Sequence, residues 1–343
     1  MKSVALVAPK QLEMRETAAP PEPGPGQLLV RLRSVGLCGS DMHWYMEGCV
    51  GHNPAVYPMV LGHEPVGEVA AAGAGTGHSP GELVSIEPTV SCGHCTHCLA
   101  GRHNNCIHGI FMGGPHAEGF FREYAVVPAR NVDRVPEDLT PLQAALIEPV
   151  AVIVHMLELV NIRVGDTVVV LGTGPIGLLA AALARQAGAG RVITADRVAH
   201  RVRLARQTGV DVALDMSKES IVDAVMDVTK GRGAEVVIDA AGAPETIQAG
   251  LALAAAAGQF VLLGIPSQKN FPVDLHTAMA KELRIQTIKR SNHRGAEAIR
   301  LLADGRIPES IITHRMPIDN TPEAFELLEH YRDGVGKIVI EMP

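Results

Sequence analysis

The chain has 343 residues, a length that suggests two domains, and its 47% hydrophobic and 20% charged residues give the balance of an ordinary globular protein. Its net charge is −7, and only 3% of its residues are aromatic. A nucleic-acid-binding surface is therefore not expected, because such surfaces are basic and often present aromatic side chains to the bases.

The N-terminal segment Met1–Val4 lacks the long apolar core of a signal peptide. Two uncharged stretches, 167–184 and 246–268, have the length of a membrane span. Glycine and proline interrupt the first, and glycine, glutamine and proline interrupt the second. Each is therefore predicted to be a strand joined to a helix, and we expect a cytoplasmic protein without a membrane partner.

The first 150 residues predict a compact domain made mostly of β-structure. Short β-like runs at 28–32, 65–69 and 83–86 are separated by turns rich in glycine and proline. Near Gln143 the pattern changes, and a helical stretch begins that runs towards Leu159.

Three potential metal ligands lie in the first of these regions, namely Cys38, His63 and Glu64. A fourth, Glu148, is a carboxylate within an apolar run and needs a partner if it is buried. One thiolate, one imidazole and one or two carboxylates can form an open zinc site with room for a substrate oxygen. The spacing alone leaves open the alternative that each residue is structural, because a lone cysteine is usually a small buried apolar group.

Four cysteines lie close together in the pattern C-x2-C-x2-C-x7-C. In a cytosolic chain of this length, such clustering indicates a metal rather than disulfides. Four thiolates match a closed tetrahedral zinc site, whose role is structural because no coordination position stays open. His94 and His97 lie inside the loop and could compete as ligands, but they are expected to face solvent. The predicted ligands are Cys92, Cys95, Cys98 and Cys106.

From residue 167 onward, strands and helices are predicted to alternate. Such alternation implies a parallel sheet with helices on both faces. Strands are expected at 168–171, 192–195, 236–238 and 260–263, and a helix at 176–187.

A glycine motif, G-x-G-x-x-G, follows the first of these strands and opens the helix. Its glycines permit a tight turn and a close approach of a pyrophosphate to the helix N-terminus. Asp196 follows the next strand, where an acid can bond the ribose hydroxyls and repel a 2′-phosphate. NAD is therefore predicted over NADP, although Arg197 and Arg201 lie nearby. The predicted cofactor contacts are Gly172, Gly174, Pro175, Ile176, Gly177, Asp196 and Arg201.

Together these segments resemble the zinc-containing medium-chain dehydrogenases, and most closely their sorbitol (polyol) dehydrogenase branch. The resemblance covers essentially the whole chain and is carried by 36–43, 62–64, the four-cysteine lobe, 147–149, and 172–177 with Asp196. It implies an α/β protein with a GroES-like, β-rich catalytic domain over 1–149, to which 290–343 returns. A Rossmann domain with a doubly wound parallel sheet would occupy 150–289.

The resemblance also implies two zinc ions and a set of residue roles. Cys38, His63 and Glu64 would hold a catalytic zinc, and the carboxylate ligand marks the polyol branch. Glu148 matches a glutamate beside that zinc, either as a ligand or bonded to its water. Ser40 and His43 would relay the alcohol proton to solvent, while Asp41 is expected to be structural.

Arg290 matches an arginine that polyol enzymes use on substrate hydroxyls, and Glu148 would also contact the substrate. A tyrosine commonly follows that arginine, whereas Ser291 stands here. The order His43-Trp44-Tyr45 also departs from the usual pattern of the branch. Both departures concern the particular substrate rather than the chemistry.

The resulting hypothesis is hydride transfer from a secondary alcohol, such as sorbitol or xylitol, to NAD by a homo-oligomeric enzyme. Three alternatives stay open. The same fold can act on another secondary alcohol, such as an amino alcohol, a sugar lactol or a simple alcohol. It can be a zinc-free reductase of activated double bonds, or a binding module without turnover.

Overall fold

The computed structural model describes all 343 residues and divides them into two compact units. The first unit comprises Met1–Ala151, Ser291–Gly305 and Ile312–Pro343, and the second comprises Val152–Arg290 and Arg306–Ile311. The C-terminal strand of the chain thus belongs to the same unit as the N-terminal one.

The first part of the chain is rich in short strands, with few helices. Its strands are β1 (Lys2–Ala8), β2 (Gln11–Glu16), β3 (Gln27–Gly36), β4 (Cys49–Val50), β5 (Asn53–Pro54), β6 (Met59–Val60), β7 (Glu64–Ala72), β8 (Leu83–Ile86), β9 (Thr89–Val90), β10 (Ile110–Phe111), β11 (Tyr124–Pro128) and β12 (Val132–Arg134). Its helices are α1 (Gly39–Glu47), α2 (Thr96–Leu99), α3 (Pro141–Ala144) and α4 (Ile147–Leu159).

The second part alternates strands with helices before returning to the first unit. The alternating elements are β13 (Thr167–Leu171), α5 (Pro175–Gln186), β14 (Arg191–Asp196), α6 (Ala199–Gln207), β15 (Val212–Asp215), α7 (Ile221–Thr229), β16 (Ala234–Asp239), α8 (Pro244–Leu253), β17 (Ala254–Leu262), α9 (Leu275–Ala280) and β18 (Arg284–Thr287). The last elements are α10 (Gly295–Ala303), β19 (Ile312–Pro317), α11 (Thr321–Glu329) and β20 (Lys337–Glu341).

A mostly antiparallel sheet forms the centre of the first unit, with strand order β12-β8-β7-β3-β20-β19 and β11 also paired to β3. Alternating apolar residues of β3 are fully buried, as the period of a half-buried strand requires. The C-terminal strand β20 runs antiparallel beside β3, with Val339 opposite Gly36. This pairing brings the last residues of the chain next to those that precede Cys38.

Six parallel strands form the sheet of the second unit, in the order β15-β14-β13-β16-β17-β18. All five residues of β13 are buried, as expected for a strand covered by helices on both faces. The strand order reverses between β13 and β16, and ligands bind at such a switch point in open parallel sheets. The predicted α/β fold class and the predicted strands of this region are confirmed.

No helix of the protein combines the length and the apolar character that crossing a membrane requires.

Candidate active site

Cys38, His63 and Glu64 lie together at one end of the central sheet of the first unit. Strand β3 ends two residues before Cys38, and β7 begins with Glu64, which is paired with Gly36 across the two strands. One potential ligand atom from each of the three side chains lies within 4.8 Å of the other two. The structure therefore brings together the three residues that the sequence predicts as ligands.

Asp41 holds this group in place from the first turn of α1. Its carboxylate is fully buried and accepts the backbone N–H of Cys38 at 3.0 Å and that of Gly62 at 3.2 Å. Oδ1 also lies 3.2 Å from Nδ1 of His63. A carboxylate beside one ring nitrogen orients the imidazole and leaves the other nitrogen, Nε2, for a metal. The structural role predicted for Asp41 is confirmed.

The chemistry of the three side chains fits a zinc ion. Burial alone disfavours the imidazolium form of His63, but Asp41 and Cys38 hold its pKa well above the ordinary value. The surroundings of the ring therefore favour a positive charge, which a bound cation also supplies. A thiolate, an imidazole and a carboxylate are zinc donors, and three protein ligands leave a position for substrate.

Glu148 lies near this group at the start of α4. Burial raises the pKa of its carboxyl to about 8. It lines a small cavity together with Glu64, Glu87 and Asp133, and burial also raises the pKa values of the latter two. A carboxyl in this environment can hold a proton near neutral pH, as a general acid or base must.

Ser40 and His43, the predicted proton relay, both lie on α1. Oγ of Ser40 is 3.1 Å from Nε2 of His63, which places the hydroxyl beside the potential metal ligands. His43 is partly exposed, and its Nδ1 lies 2.9 Å from Oε1 of Glu47 one turn later. The ring of Phe111 lies 5.2 Å from that of His63, centroid to centroid. Phe111 therefore lies beside the site.

The four clustered cysteines form a second candidate metal centre. Their Sγ atoms lie within 4.8 Å of one another, with 3.5 Å between Cys95 and Cys98 and 3.8 Å between Cys95 and Cys106. A tetrahedron of Zn–S bonds about 2.3 Å long has edges of about 3.8 Å, so the group fits zinc. Backbone N–H groups of Cys98 and Ile107 lower the pKa of Cys95 to about 5, which favours its thiolate.

The predicted glycine motif connects β13 to α5 at the switch point of the parallel sheet. Gly172 has a φ of +91°, and a Cβ on Gly177 would lie 1.9 Å from the carbonyl oxygen of Gly172. A Cβ on Gly174 would meet nothing closer than Nη1 of Arg201, at 3.7 Å. Pro175 and Ile176 form the first turn of α5, whose N–H groups can receive a pyrophosphate.

Asp196 ends β14 and is buried beside this motif. Its Oδ2 accepts hydrogen bonds from the backbone N–H and the hydroxyl of Thr173, and its Oδ1 accepts the N–H of Val198. A carboxylate has about four acceptor positions, so one on Oδ1 is left for a ribose hydroxyl.

Arg290 ends the first segment of the second unit, three residues after β18, and adopts the left-handed conformation with a φ of +56°. Ser291 is buried, and its Oγ accepts the N–H of Arg294 at 3.3 Å. Oδ1 of Asn292 accepts the N–H of His103 at 2.9 Å, and its amide donates to the carbonyl of Gly101. Ser291 thus occupies a structural turn, and the neighbouring Asn292 fastens that turn to the four-cysteine lobe.

Lys337 is the residue at this site for which the sequence offered no prediction. It is fully buried on β20, and its ammonium donates to Oε2 of Glu64 and, at 3.1 Å, to the carbonyl of Leu37. The only sequence signal is a lysine at the start of the apolar run Lys337–Ile340. A lysine in a buried strand needs an acidic partner, but nothing local indicates which one.

A β-rich unit with a Cys-His-Glu group and a six-stranded parallel sheet with a glycine motif after its first strand are the two parts expected of a zinc-dependent oxidoreductase. Family models for "Alcohol dehydrogenase GroES-like domain" and "Zinc-binding dehydrogenase" match residues 24–137 and 175–304. The chain belongs to the zinc-containing medium-chain dehydrogenase family and is similar to its sorbitol dehydrogenases.

Relatives along the whole chain carry different substrate names. The chain is 30% identical to sorbitol dehydrogenase of Bacillus subtilis (strain 168), over 99% of this chain and 97% of that one. It is 36% identical to L-threonine 3-dehydrogenase of Idiomarina loihiensis, over 92% of each. A crystal structure from Sinorhizobium meliloti 1021, described as a zinc-binding dehydrogenase bound to NADP, superposes with a TM-score of 0.91 at 34% identity. That match covers 99% of this chain and 98% of the other.

Proposed function

We propose that this dehydrogenase oxidises a polyol such as sorbitol or xylitol to the ketose, with NAD as the hydride acceptor. The observation that carries the proposal is the group of Cys38, His63 and Glu64. Its third potential ligand is a carboxylate, the feature that marks the polyol branch of the family. The similarity to sorbitol dehydrogenases along 99% of the chain supports the same substrate class.

When bound, zinc supplies a Lewis acid and NAD a hydride acceptor, so that the carbinol loses a hydride and a proton and becomes a ketone. Ser40 is placed to receive the hydroxyl proton, because its Oγ lies beside the ring nitrogen of His63 that is proposed to face zinc. His43, on the next turn of α1, is partly exposed and can release that proton to solvent. Glu148 and Arg290 are proposed to bind the remaining hydroxyl groups of the substrate.

NAD is proposed over NADP because of the charge on Asp196. A buried carboxylate whose position is fixed by Thr173 and Val198 would repel a 2′-phosphate at short range. The similar structure from Sinorhizobium meliloti is described as bound to NADP, so the preference of this chain is tested by comparing kcat/KM for NAD and NADP. Arg201, near Gly174, is proposed to neutralise part of the pyrophosphate charge.

We further propose two zinc ions per chain and a homo-oligomer located in the cytoplasm. None of the six cysteines forms a disulfide, which agrees with a reducing compartment. Strand β18 lies at the edge of the parallel sheet. Ile285 on this strand is 48% exposed, and Met279 on the preceding helix α9 is 77% exposed. An unpaired strand edge with exposed apolar side chains is a natural contact for a second copy.

The test is the rate of NAD reduction with a matched panel of alcohols, namely sorbitol, xylitol, galactitol, L-threonine, 2,3-butanediol and 2-propanol. We expect the highest kcat/KM with one of the polyols, and zinc removal by a chelator should abolish that activity. An absence of turnover with every polyol would overturn the substrate class while leaving the dehydrogenase family intact.

L-Threonine is the second candidate substrate, because the similarity to an L-threonine 3-dehydrogenase is 36% over 92% of the chain. An amino acid differs from a polyol in its carboxylate and ammonium groups, which need charged partners when they are desolvated. The two candidates are separated by the ratio of kcat/KM for L-threonine to that for sorbitol. A ratio above one would favour the amino alcohol.

A further inference from the structure

A buried ion pair between Lys337 and Glu64 lies against the proposed catalytic metal site. The two residues are 273 positions apart in sequence, and each side chain is about 1% exposed. The C-terminal strand β20 carries the lysine, and the pairing of β20 with β3 brings it beside the strand that leads to Cys38.

The ammonium of Lys337 is held in a defined position. It donates to the carbonyl oxygen of Leu37 at 3.1 Å and to Oε2 of Glu64. The lysine is therefore held against one particular oxygen, Oε2, of a potential metal ligand.

Gly36 provides an independent sign that this pair is built into the fold. A Cβ on Gly36 would lie 1.9 Å from Oε2 of Glu64 and 2.9 Å from Cε of Lys337. The φ of Gly36 is not in the left-handed region, so its backbone can be adopted by any residue. Only the space taken by the ion pair excludes a side chain there.

We propose that Lys337 is a positioning residue for the catalytic metal. By holding Oε2, it fixes the orientation in which the carboxylate of Glu64 faces zinc, and this inference rests on the proposed function of the site. A residue that bonds to a metal ligand without touching the metal fixes the orientation of that ligand, and its loss typically lowers metal affinity by about 10- to 100-fold. No role of Lys337 in binding the alcohol or the cofactor is needed.

The experiment is a titration of bound zinc per chain against buffered free zinc, with folding checked by circular dichroism. The wild-type protein should bind zinc in two steps. The first step fills the four-cysteine site, and the second fills the site of Cys38, His63 and Glu64. In Lys337→Met, the second step should move to about 10- to 100-fold higher free zinc while the first stays in place. Lys337→Arg should move the second step in the same direction by a smaller factor.

Lys281→Met is the matched control. Lys281 is partly buried, and its ammonium donates to the carbonyls of Leu251, Ala252 and Ala254 in the second unit and to no acidic group. Neither zinc step should move in this variant. A general effect of removing a lysine would appear in both variants.

The inference would be overturned if Lys337→Met filled its second zinc site at the same free zinc concentration as the wild type, or at a lower one. If Lys337→Met does not fold, the same titration of Lys337→Arg and Gly36→Ala tests the inference, because both variants disturb the ion pair without removing a charge. A wild-type zinc affinity of the second site in both variants would also overturn the inference. A wild-type protein with no second step would instead contradict the proposed function, and the inference would fall with it.

Discussion

The carboxylate of Asp196 accepts two hydrogen bonds from Thr173, one from its backbone N–H at 2.7 Å and one from its hydroxyl at 3.0 Å. Thr173 lies between Gly172 and Gly174, so the acidic residue at the end of β14 is tied to the glycine motif at the start of α5. The position of the negative charge in the proposed cofactor site is therefore fixed by the protein itself, and such preorganisation favours a selective site.

Replacing Asp196 by asparagine should reduce the preference for NAD over NADP. Asparagine keeps an acceptor for Thr173 but removes the charge that repels a 2′-phosphate. We expect the ratio of kcat/KM for NAD to that for NADP to fall at least about tenfold, which corresponds to about 1.4 kcal/mol. Thr173→Val is the control, because it removes one hydrogen bond and keeps the charge. An unchanged ratio in Asp196→Asn would show that charge does not select the cofactor.

Two glycines of the same motif should respond differently to alanine. In Gly177→Ala the new Cβ would lie 1.9 Å from the backbone oxygen of Gly172, so we expect a loss of stability of about 1–3 kcal/mol or more. In Gly174→Ala the nearest atom is 3.7 Å away, so the fold should persist while NAD binds more weakly. Thermal unfolding and NAD titration measure the two effects. Equal melting temperatures for both variants would contradict the described loop.

Removal of the Ser40 hydroxyl should slow catalysis without removing zinc. A positioned proton-transfer group typically contributes about 10²- to 10⁴-fold, so we expect kcat of Ser40→Ala to fall at least about 100-fold. Zinc content and NAD affinity should stay at their wild-type values. Glu47→Gln is a milder comparison, because Glu47 contacts His43 and not the potential metal ligands. A kcat of Ser40→Ala within tenfold of wild type would rule out the proposed relay.

The four-cysteine lobe should hold one zinc independently of the reaction. Cys106→Ser removes one thiolate of the tetrahedral group, so we predict one zinc fewer per chain and a lower melting temperature. Cys49→Ser is the matched control, since Cys49 lies outside both metal groups and forms no disulfide. Metal analysis of both variants provides the measurement. Full zinc content in Cys106→Ser would contradict a four-thiolate site.

Two aspartates of the second unit should give opposite dependences of stability on pH. Burial raises the pKa of Asp239 above 3.8, so its contribution to stability is fully present below pH 3.8 and is lost as the pH rises through its folded value. Hydrogen bonds from Lys218 and Ser217 lower the pKa of Asp215 to about 2, so its contribution is present above pH 3.8 and is lost towards pH 2.

We therefore expect the melting temperature of Asp239→Asn, relative to wild type, to rise with pH from about 4 to 7. That of Asp215→Asn, relative to wild type, should fall as the pH rises from 2 to 4. Thermal unfolding across this range is the measurement for both variants. The same slope for both would mean that the environments of the two carboxylates are not those described.

The pattern of the second unit was largely predictable from local sequence. The strand before Gly172 is a run of buried β-branched residues, and the glycines that follow are needed within the same short turn. The apolar run and the glycine motif each involve residues that are close together in the chain, so both patterns can be recognised without a tertiary structure. The burial of Ser291 could not be predicted in this way, because it depends on tertiary packing that its sequence neighbours do not encode.

The four-cysteine lobe and the glycine motif could both be predicted from local sequence, because each places all its functional groups within one short segment. Tertiary structure decided the other metal site, since Cys38 and His63 meet only when β3 pairs with β7. It also decided the partner of Glu64, because the lysine arrives on the C-terminal strand, 273 residues away. Ion pairs over such separations depend on strand order and register, which only the folded sheet defines.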